Sequence, residues 1–321
     1  MSPQKSRKLI LFRGALKIIM NLRNILSEGK ETLMKNKIND AEFDATEILL
    51  SILDIDMAEF LSIEDTDLEE KFNVNAITRL VSDYEKLISA RASHFPLQYI
   101  LGETYFCGMK FEIDDSVLIP RQDTEVLVEK VIQDNPDKNK YILDLCTGSG
   151  CIAISLANLG DYKLIVGSDI SNEALRVAAK NAESLIKDYE YADEMSQKIY
   201  FLQSDLFNDF YKLKDELGIN AFDIITANPP YIRHKDINTL DDEIKKYEPL
   251  IALDGDIDGL KYYREIAKNA KEYLTNNGKI YLEIGYDQAQ DIKKIFENLG
   301  YTHIETVKDL SKNDRVMVFQ K

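Results

Sequence analysis

The sequence has few of the residues from which disulfide frameworks and metal sites are built. Its 321 residues include three cysteines (Cys107, Cys146 and Cys151), three histidines and no tryptophan. Three cysteines are too few for a disulfide framework in a chain of this length, and their odd count is typical of a reducing, cytoplasmic compartment. The cysteines and histidines also lack the CxxC and HExxH spacings of zinc sites, so we expect no metal ion.

Positive charge is scarce as well. Lysine and arginine number 40 against 56 aspartates and glutamates, which gives a formal net charge of −16. Because nucleic-acid binding normally needs a basic face, this balance disfavours a nucleic-acid partner. The chain also lacks an apolar run near the roughly 18 residues of a membrane span, so we expect no membrane association.

The first twenty residues differ from the rest of the chain. They carry five basic residues and no acidic one, at Lys5, Arg7, Lys8, Arg13 and Lys17. Their only apolar stretch is too short for the core of a secretory signal, and a transit peptide is the alternative. We expect residues 1–20 to be an extension outside the folded domains.

Residues 21–95 have the pattern of a small helical domain. Apolar side chains recur at helical spacing, at Ala45, Ile48, Leu49 and Ile52 and again at Leu80, Tyr84, Leu87 and Ile88. Glycine often follows the last turn of a helix, so we expect one helix to end at Gly29. Two aromatic-rich runs then meet at Gly108, which predicts a β-hairpin within a linker of residues 96–119.

From residue 120 onward, apolar strand patterns alternate with helical patterns. The expected strands are Tyr141–Cys146, Leu164–Asp169, Ile199–Gln203, Phe222–Ala227, Lys279–Ile284, Ile304–Val307 and Val316–Gln320. The expected helices are Thr124–Gln133, Cys151–Asn158, Asn172–Ile186, Tyr262–Leu274 and Gln288–Leu299. Such alternation predicts an α/β domain with a mostly parallel sheet that is covered on both faces.

The first three of these strands end in residues suited to a nucleoside. The first runs into a turn with Gly148 and Gly150, although a lone GxG is weak evidence and also fits ordinary strand-to-helix packing. The second ends at Asp169, whose carboxylate can accept both hydroxyls of a ribose, with a helix cap as the alternative. The third precedes Leu206, against which an adenine could lie. Together they predict a nucleoside crevice at the carboxyl edge of the sheet.

The fourth strand is followed by Asn228-Pro229-Pro230-Tyr231. The two prolines stiffen the loop and remove two backbone donors, which leaves the Asn228 side-chain oxygen and the Pro229 carbonyl as acceptors. These acceptors can take both hydrogens of a planar NH2 group, and Tyr231 supplies a flat wall. A plain turn is the alternative. Holding a poorly nucleophilic amide or amine nitrogen in line with the methyl group of S-adenosylmethionine would promote methyl transfer.

Further motifs accompany this loop. They are Pro96–Gly102, Val117–Glu125, Asp144–Ala153, Asn228–Ile232, Glu248-Pro249, Ala252–Gly255 and Asp258–Leu260. In these motifs the sequence resembles the release factor glutamine-N5 methyltransferases (the PrmC/HemK family), class I enzymes that use S-adenosylmethionine, over about residues 21–321. It departs from the family pattern at Gln122, where proline is usual, and at His94-Phe95, where polar residues are usual.

The resemblance implies a fold and a reaction. The fold would be a seven-stranded Rossmann-like methyltransferase sheet with its last strand antiparallel, in residues 120–321, preceded by the helical domain and the hairpin. The enzyme would methylate the side-chain nitrogen of the glutamine in the Gly-Gly-Gln motif of peptide chain release factors. The helical domain would hold the release factor, and we expect a cytoplasmic monomer.

The resemblance also implies roles for individual residues. The methionine part of the cofactor would lie against Cys146, Thr147, Gly148, Ser149 and Gly150. Asp169 would hold the ribose, Leu206 would border the adenine, and Asn228 would touch both cofactor and substrate. Pro229, Pro230 and Tyr231 would complete the catalytic pocket for glutamine. Arg121 would lie near the entrance, with a cap or a surface ion pair as the alternative.

Two other functions share parts of this pattern. An adenine-N6 methyltransferase acting on DNA or RNA would use the same loop, because adenine also offers an NH2 group. The acidic body of the chain argues against the many phosphate contacts such an enzyme needs. A binding module that keeps only the fold is the third reading, and the intact Asn228–Tyr231 loop argues against it.

Overall fold

The computed structural model describes residues 20–186 and 198–321. The chain divides into two units, one ending at Leu101 and the other beginning at Gly102. Residues 1–19, nearly all of the expected basic extension, lie outside the described residues. In the first unit the described helices are α1 (Leu22–Lys35), α2 (Ala41–Leu53), α3 (Met57–Ile63), α4 (Leu68–Lys71), α5 (Val74–Ala92) and α6 (Leu97–Leu101).

The apolar faces of these helices form the core of the first unit. Ile48 and Leu49 of α2 and Tyr84 of α5 are buried together there, as their spacing predicts. Asn21 and Asn73 begin α1 and α5, and each side-chain oxygen accepts the backbone N–H three residues later at 2.9 Å. These caps pair donors that a helix start would otherwise leave without a partner.

Gly29 does not end a helix, so that prediction is wrong. It lies in the middle of α1, directly beneath the ring of Tyr84. A Cβ atom at this position would lie 2.1 Å from the Tyr84 hydroxyl, which donates to the Ala45 carbonyl at 3.1 Å. The glycine is therefore needed for the close approach of α1 and α5 and not for chain reversal.

The hairpin predicted at Gly108 is confirmed, and it belongs to the second unit. Strands β1 (Glu103–Phe106) and β2 (Met109–Glu112) pair antiparallel, with Phe106 opposite Met109. The two turn residues, Cys107 and Gly108, have φ angles of 49° and 73°. Two positive φ angles give the turn the twist that a two-residue hairpin prefers.

The predicted seven-stranded sheet is also confirmed in the second unit. Its strands are β3 (Tyr141–Leu145), β4 (Leu164–Asp169), β5 (Ile199–Gln203), β6 (Phe222–Ala227), β7 (Leu274–Glu283), β8 (Thr302–Lys308) and β9 (Asp314–Gln320). The order across the sheet is β5-β4-β3-β6-β7-β9-β8, and β9 is antiparallel to both of its neighbours. Strand β7 starts five residues before the expected Lys279, because Leu274 pairs with Phe222 ahead of a bulge in β6.

Helices cover both faces of this sheet. The long ones are α7 (Gln122–Asp134), α9 (Asn172–Leu185), α13 (Lys261–Tyr273) and α14 (Ala289–Asn298), and the shorter ones are α8 (Cys151–Ser155), α10 (Tyr211–Leu217), α11 (Asp242–Tyr247) and α12 (Leu250–Leu253). Helices α7, α8 and α9 share one apolar core with the sheet, and α13 and α14 share the other. Within the described residues, no helix has the length and apolar character that crossing a membrane requires.

Asn181 of α9 ties the hairpin to the glycine turn after β3. Its side chain is fully buried and exchanges hydrogen bonds with both backbone groups of Glu112, at 2.7 and 2.9 Å. The same side-chain amide donates to the Ser149 carbonyl at 3.0 Å. Because the polar groups of this buried side chain are hydrogen-bonded, Asn181 fixes the position of the turn above the sheet.

Candidate active site

A cavity lies at the carboxyl ends of β3, β4, β5 and β6. Most residues predicted to bind the cofactor line it, namely Cys146, Thr147, Gly148, Ser149, Asp169 and Leu206. Asn228 and Pro230 line the same cavity. The crevice predicted from separate strand ends is thus one continuous space, because parallel strands bring these ends to one edge of the sheet.

The turn after β3 is shaped by hydrogen bonds to the neighbouring strand. The Thr147 amide donates to the Ser168 carbonyl, and the Gly148 amide donates to Asp169 Oδ2, each at 2.9 Å. Gly148 has a φ of +55°, and a Cβ atom on it would meet no atom within 4 Å. The positive φ explains why this residue is glycine. The missing side chain leaves open space beside the backbone for a ligand.

Gly150, which is also predicted to contact the cofactor, has a packing role in the structure. It is not among the residues that line the cavity. A Cβ atom on it would lie 3.0 Å from Ile154 Cδ1 and 3.1 Å from Ala178 Cβ. The structure therefore assigns this glycine to close packing of the turn against α8 and α9.

Asp169 is held in place before any ligand arrives. Its two carboxylate oxygens accept the backbone N–H groups of Gly148 and Ser171, each at 2.9 Å. Burial raises the pKa of Asp169, and these backbone donors oppose the rise. The cap of α9 is Ser171, which accepts the Ala174 N–H at 3.1 Å, so the alternative of a capping Asp169 is not needed. A carboxylate has about four acceptor positions, so Asp169 keeps acceptor capacity for a ribose hydroxyl.

Asp144 is a buried acid behind the turn after β3, and the sequence analysis gave this residue no role. It is fully buried and accepts the hydroxyls of Thr147 and Thr226, each at 2.7 Å. Burial raises the pKa of Asp144 to about 7, against the opposing effect of the two hydroxyls. It links the ends of β3 and β6 beneath the cavity. An acid within an otherwise apolar strand was the signal that could have found it.

Two other cavity residues adopt backbone conformations that are unusual for their type. Cys146 at the end of β3 has a φ of 56°, and Leu206 after β5 has a φ of 48°. A residue other than glycine with a positive φ costs on the order of 1 kcal/mol in conformational free energy, and such residues cluster at ligand sites. Burial raises the pKa of the Cys146 thiol, and the nearby charges of Asp169, Asp144 and Asp205 raise it further. The cavity thus has a neutral thiol and a negative electrostatic environment.

The loop after β6 carries the predicted catalytic residues. Asn228 is half-buried, and its side-chain Nδ2 donates to Thr124 Oγ1 at 3.4 Å. Pro229 and Pro230 are both buried, but only Pro230 lines the cavity. Thr124 lies in the first turn of α7 and also lines the cavity, although the sequence analysis gave it no role of its own.

Tyr231 is placed differently from the predicted wall for the substrate. Its side chain packs against the core and is not among the residues that line the cavity. Its hydroxyl donates to Glu283 Oε1 at 3.3 Å, at the end of β7. Burial raises the pKa of Tyr231, and the Glu283 charge adds to the rise, so the phenol is a neutral donor. The structure therefore shows Tyr231 as an anchor of its loop.

The Gln288 side chain and the Gly259 backbone contact the Tyr231 end of the Asn228–Tyr231 loop. Gln288 Nε2 donates to the carbonyls of Tyr231 and Gly259, at 3.0 and 3.2 Å. A Cβ atom on Gly259 would lie 2.4 Å from the Tyr231 carbonyl oxygen. The Asp258–Leu260 motif of the sequence therefore supplies close backbone packing against Tyr231.

The sequence left two alternatives for Arg121, a place near the site entrance or a cap or surface ion pair. The structure shows it both at the cavity and in an ion pair. It lines the cavity, and its guanidinium forms an ion pair with Glu248. The Glu248 side chain is 1% exposed and the Arg121 side chain is 38% exposed. The buried carboxylate thus holds a partly exposed positive charge at the wall of the cavity.

Comparisons with known proteins agree with this architecture. A family model described as the PrmC N-terminal domain matches residues 24–102, and one described as a methyltransferase domain matches residues 136–319. A release factor glutamine methyltransferase of Thermodesulfovibrio yellowstonii is 40% identical over 300 residues, which span 92% of this chain and 98% of the relative. Another from Clostridium botulinum is 36% identical over 94% of this chain and 100% of its own length.

The chain also has similarity to solved structures at low sequence identity. A putative SAM-dependent methyltransferase from Streptococcus mutans covers 81% of this chain and 68% of its own, with 13% sequence identity and a TM-score of 0.48.

Proposed function

The chain belongs to the release factor glutamine methyltransferase family, and we propose that it methylates the side-chain amide nitrogen (N5) of the glutamine in the Gly-Gly-Gln motif of peptide chain release factors. The methyl donor in this proposal is S-adenosyl-L-methionine. The observation that carries the proposal is that Asp169 and Asn228 line one cavity at the ends of β4 and β6. A nucleoside bound at Asp169 and an amide bound at Asn228 would therefore lie in the same cavity.

The residues of the cavity fit this methyl donor. Asp169 keeps free acceptor positions for ribose hydroxyls, and the apolar side chains of Leu206 and Ile170 line the space beside it for an adenine. When bound, S-adenosylmethionine supplies an electrophilic methyl group on a positively charged sulfur. The nearby carboxylates that raise the pKa of Cys146 favour such a cation by the same electrostatic effect.

The Asn228 loop would bind and orient the acceptor amide. The Asn228 Oδ1 and the Pro229 carbonyl would accept the two hydrogens of the glutamine NH2 group. The two prolines offer no backbone N–H to compete for these acceptors. Two hydrogen bonds fix the plane of the amide, so its nitrogen is held toward the cofactor side of the cavity. Such positioning is worth several kcal/mol when the reacting group is a weak nucleophile.

The helical unit would serve the protein substrate. We propose that residues 21–95 hold the body of the release factor while its Gly-Gly-Gln loop enters the cavity. The hairpin linker of residues 96–119 connects this unit to the methyltransferase domain of residues 120–321. The size and separate core of the first unit support this division of labour.

Transfer of labelled methyl groups to a panel of acceptors tests the proposal. The purified protein is incubated with labelled S-adenosylmethionine and either a release factor, duplex DNA or structured RNA. We expect label in the release factor alone, and none after replacement of the Gly-Gly-Gln glutamine by alanine. Label in DNA or RNA, with none in the release factor, would instead identify an adenine methyltransferase and overturn the proposal.

A further inference from the structure

The methyl donor carries a carboxylate at the end of its methionine part, opposite in charge to its sulfonium. The acids Asp169 and Asp205 line the cavity and repel such a group. A carboxylate that leaves water needs a cation or several hydrogen-bond donors, because a buried charge without them is costly. The protein must therefore supply a partner for this carboxylate at a distance from the two acids.

The glycine turn after β3 has few donors left for the carboxylate. The amides of Thr147 and Gly150 each donate to a backbone carbonyl at 2.9 Å. The Gly148 amide donates to Asp169 Oδ2, also at 2.9 Å. Three of the four amides from Thr147 to Gly150 are thus committed within the protein. The turn alone is a poor site for an anion that has two oxygens to satisfy.

Arg121 has the charge and the donors that the turn lacks. Among the residues that line the cavity, all of them in the described part of the chain, it is the only one with a basic side chain. A guanidinium has five N–H donors. Arg121 uses Nη2 for its hydrogen bond to Glu248 Oε1. The other donors can bind both oxygens of a second carboxylate in the bidentate geometry that arginine favours.

The fold places Arg121 away from the acids at the end of β4. Strand β3 lies between β4 and β6, so the ends of β4 and β6 are two strand spacings, roughly 10 Å, apart. Arg121 directly precedes α7, and Thr124 in the first turn of α7 contacts Asn228 at the end of β6, at 3.4 Å. With its ribose at Asp169, the methionine part of the cofactor would extend across the turn after β3 toward this side.

We propose that Arg121 binds the carboxylate of the methionine part of S-adenosylmethionine, an inference that rests on the methyl donor of the proposed function. Glu248 is buried and fixes the guanidinium at the cavity wall. A group that is held in place before the ligand arrives loses little entropy on binding. Because the Arg121–Glu248 pair has no net charge, the directed N–H donors of the guanidinium hold the carboxylate, rather than long-range attraction.

Two ligands that differ only in the carboxylate test this assignment. Decarboxylated S-adenosylmethionine keeps the adenosine, the sulfonium and the amine, and calorimetry gives the Kd of each ligand without any methyl acceptor. We expect the wild type to bind S-adenosylmethionine about tenfold or more tightly than the decarboxylated ligand. In Arg121→Met, which has a side chain without charge or donors, we expect the two Kd values to agree within about threefold. A wild-type preference that persists in Arg121→Met would overturn the inference.

Two further variants control for folding and for loss of charge elsewhere. Arg121→Met leaves the buried Glu248 without its partner, so Arg121→Met/Glu248→Gln removes both charges and should lose the same preference. Arg79→Met, at an exposed arginine of α5 that pairs with Asp83, should keep the wild-type ratio of Kd values. An unchanged ratio in the double variant, with a raised KM for the release factor, would place Arg121 on the protein substrate and overturn the inference. Wild-type protein that labels no release factor would refute the proposed function itself, which these titrations do not measure.

Discussion

The backbone N–H of Gly148 donates a 2.9 Å hydrogen bond to Asp169 Oδ2, which joins the turn after β3 to the carboxylate that ends β4. Two predicted features of the cofactor site are thus parts of one structure. The glycine turn positions the acid, and the acid in turn holds the turn open beside the cavity. A site organised in this way loses little entropy when its ligand binds.

Replacement of Asp169 by alanine should mainly weaken cofactor binding. The variant removes the acceptor for the ribose and also the anchor of Gly148. Hydrogen bonds to a charged group contribute about 1.5–3 kcal/mol each, so we expect the Kd for S-adenosylmethionine to rise about tenfold or more. Isothermal titration calorimetry measures it directly. Asp291→Ala, at an exposed carboxylate in the first turn of α14, is the matched control and should bind normally. An unchanged Kd for Asp169→Ala would contradict this role.

Replacement of Asn228 by alanine should mainly slow turnover. The variant loses the oxygen that orients the acceptor amide, while Asp169 and the glycine turn remain. We expect kcat to fall by about 100-fold or more, with cofactor affinity within roughly tenfold of wild type. Steady-state methylation of a release factor gives kcat, and calorimetry gives the affinity. Asn269→Ala, at a half-buried asparagine of α13 that does not line the cavity, makes the same chemical change and should leave both unchanged. Wild-type turnover in Asn228→Ala would be incompatible with the proposed mechanism.

The raised pKa of Asp144 predicts a pH dependence of stability. Its pKa is about 7 in the folded protein against 3.8 ordinarily, so the folded state binds the proton more tightly than the unfolded state does. The stability gained from this proton is complete below the ordinary pKa and is lost as pH rises through about 7. The loss is at most about 1.4 kcal/mol per pH unit for one proton.

Urea unfolding of the wild type and of Asp144→Asn isolates this contribution. Asparagine keeps the shape of the side chain but does not titrate. We expect the difference in free energy of unfolding, wild type minus variant, to fall between about pH 5 and pH 7 and then to level off. A difference that stays constant over this range would show that Asp144 does not bind a proton there.

Removal of the helical unit should affect a whole release factor more than a short peptide. The sheet, the cavity and both apolar cores that cover the sheet lie within residues 102–321, so a protein without residues 1–101 retains all of their residues. If the first unit holds the release factor, its loss raises KM for the whole factor and leaves a short Gly-Gly-Gln peptide nearly unaffected. Methylation rates on the two substrates measure this. Equal losses on both would argue against a docking role.

The sequence predicted the fold well because the sheet has a regular pattern. The central strands are apolar on both faces, and each one is followed by a helix with an apolar stripe, so the strands β4, β5 and β6 have the predicted bounds. Gly29 shows where such reasoning fails. Nothing local distinguishes a glycine that ends a helix from one that lies beneath a tyrosine 55 positions later.

The sequence predicted those site residues that lie at or just after the end of a strand. Asp169 and Asn228 follow such ends and line the cavity as expected. Thr124 and Glu283 could not be assigned, because their contacts with Asn228 and Tyr231 join segments far apart in the chain. The placement of Tyr231 against Glu283 likewise depends on the pairing of β6 with β7, which no motif records.

The position of the transferred methyl group tests the central claim most directly. A release factor is methylated with labelled S-adenosylmethionine and digested, and the labelled peptide is fragmented in a mass spectrometer. The account predicts the label on the glutamine of the Gly-Gly-Gln motif and its release as methylamine on acid hydrolysis, which places it on the amide nitrogen. Label on any other residue, or label that survives hydrolysis on the amino acid itself, would contradict it.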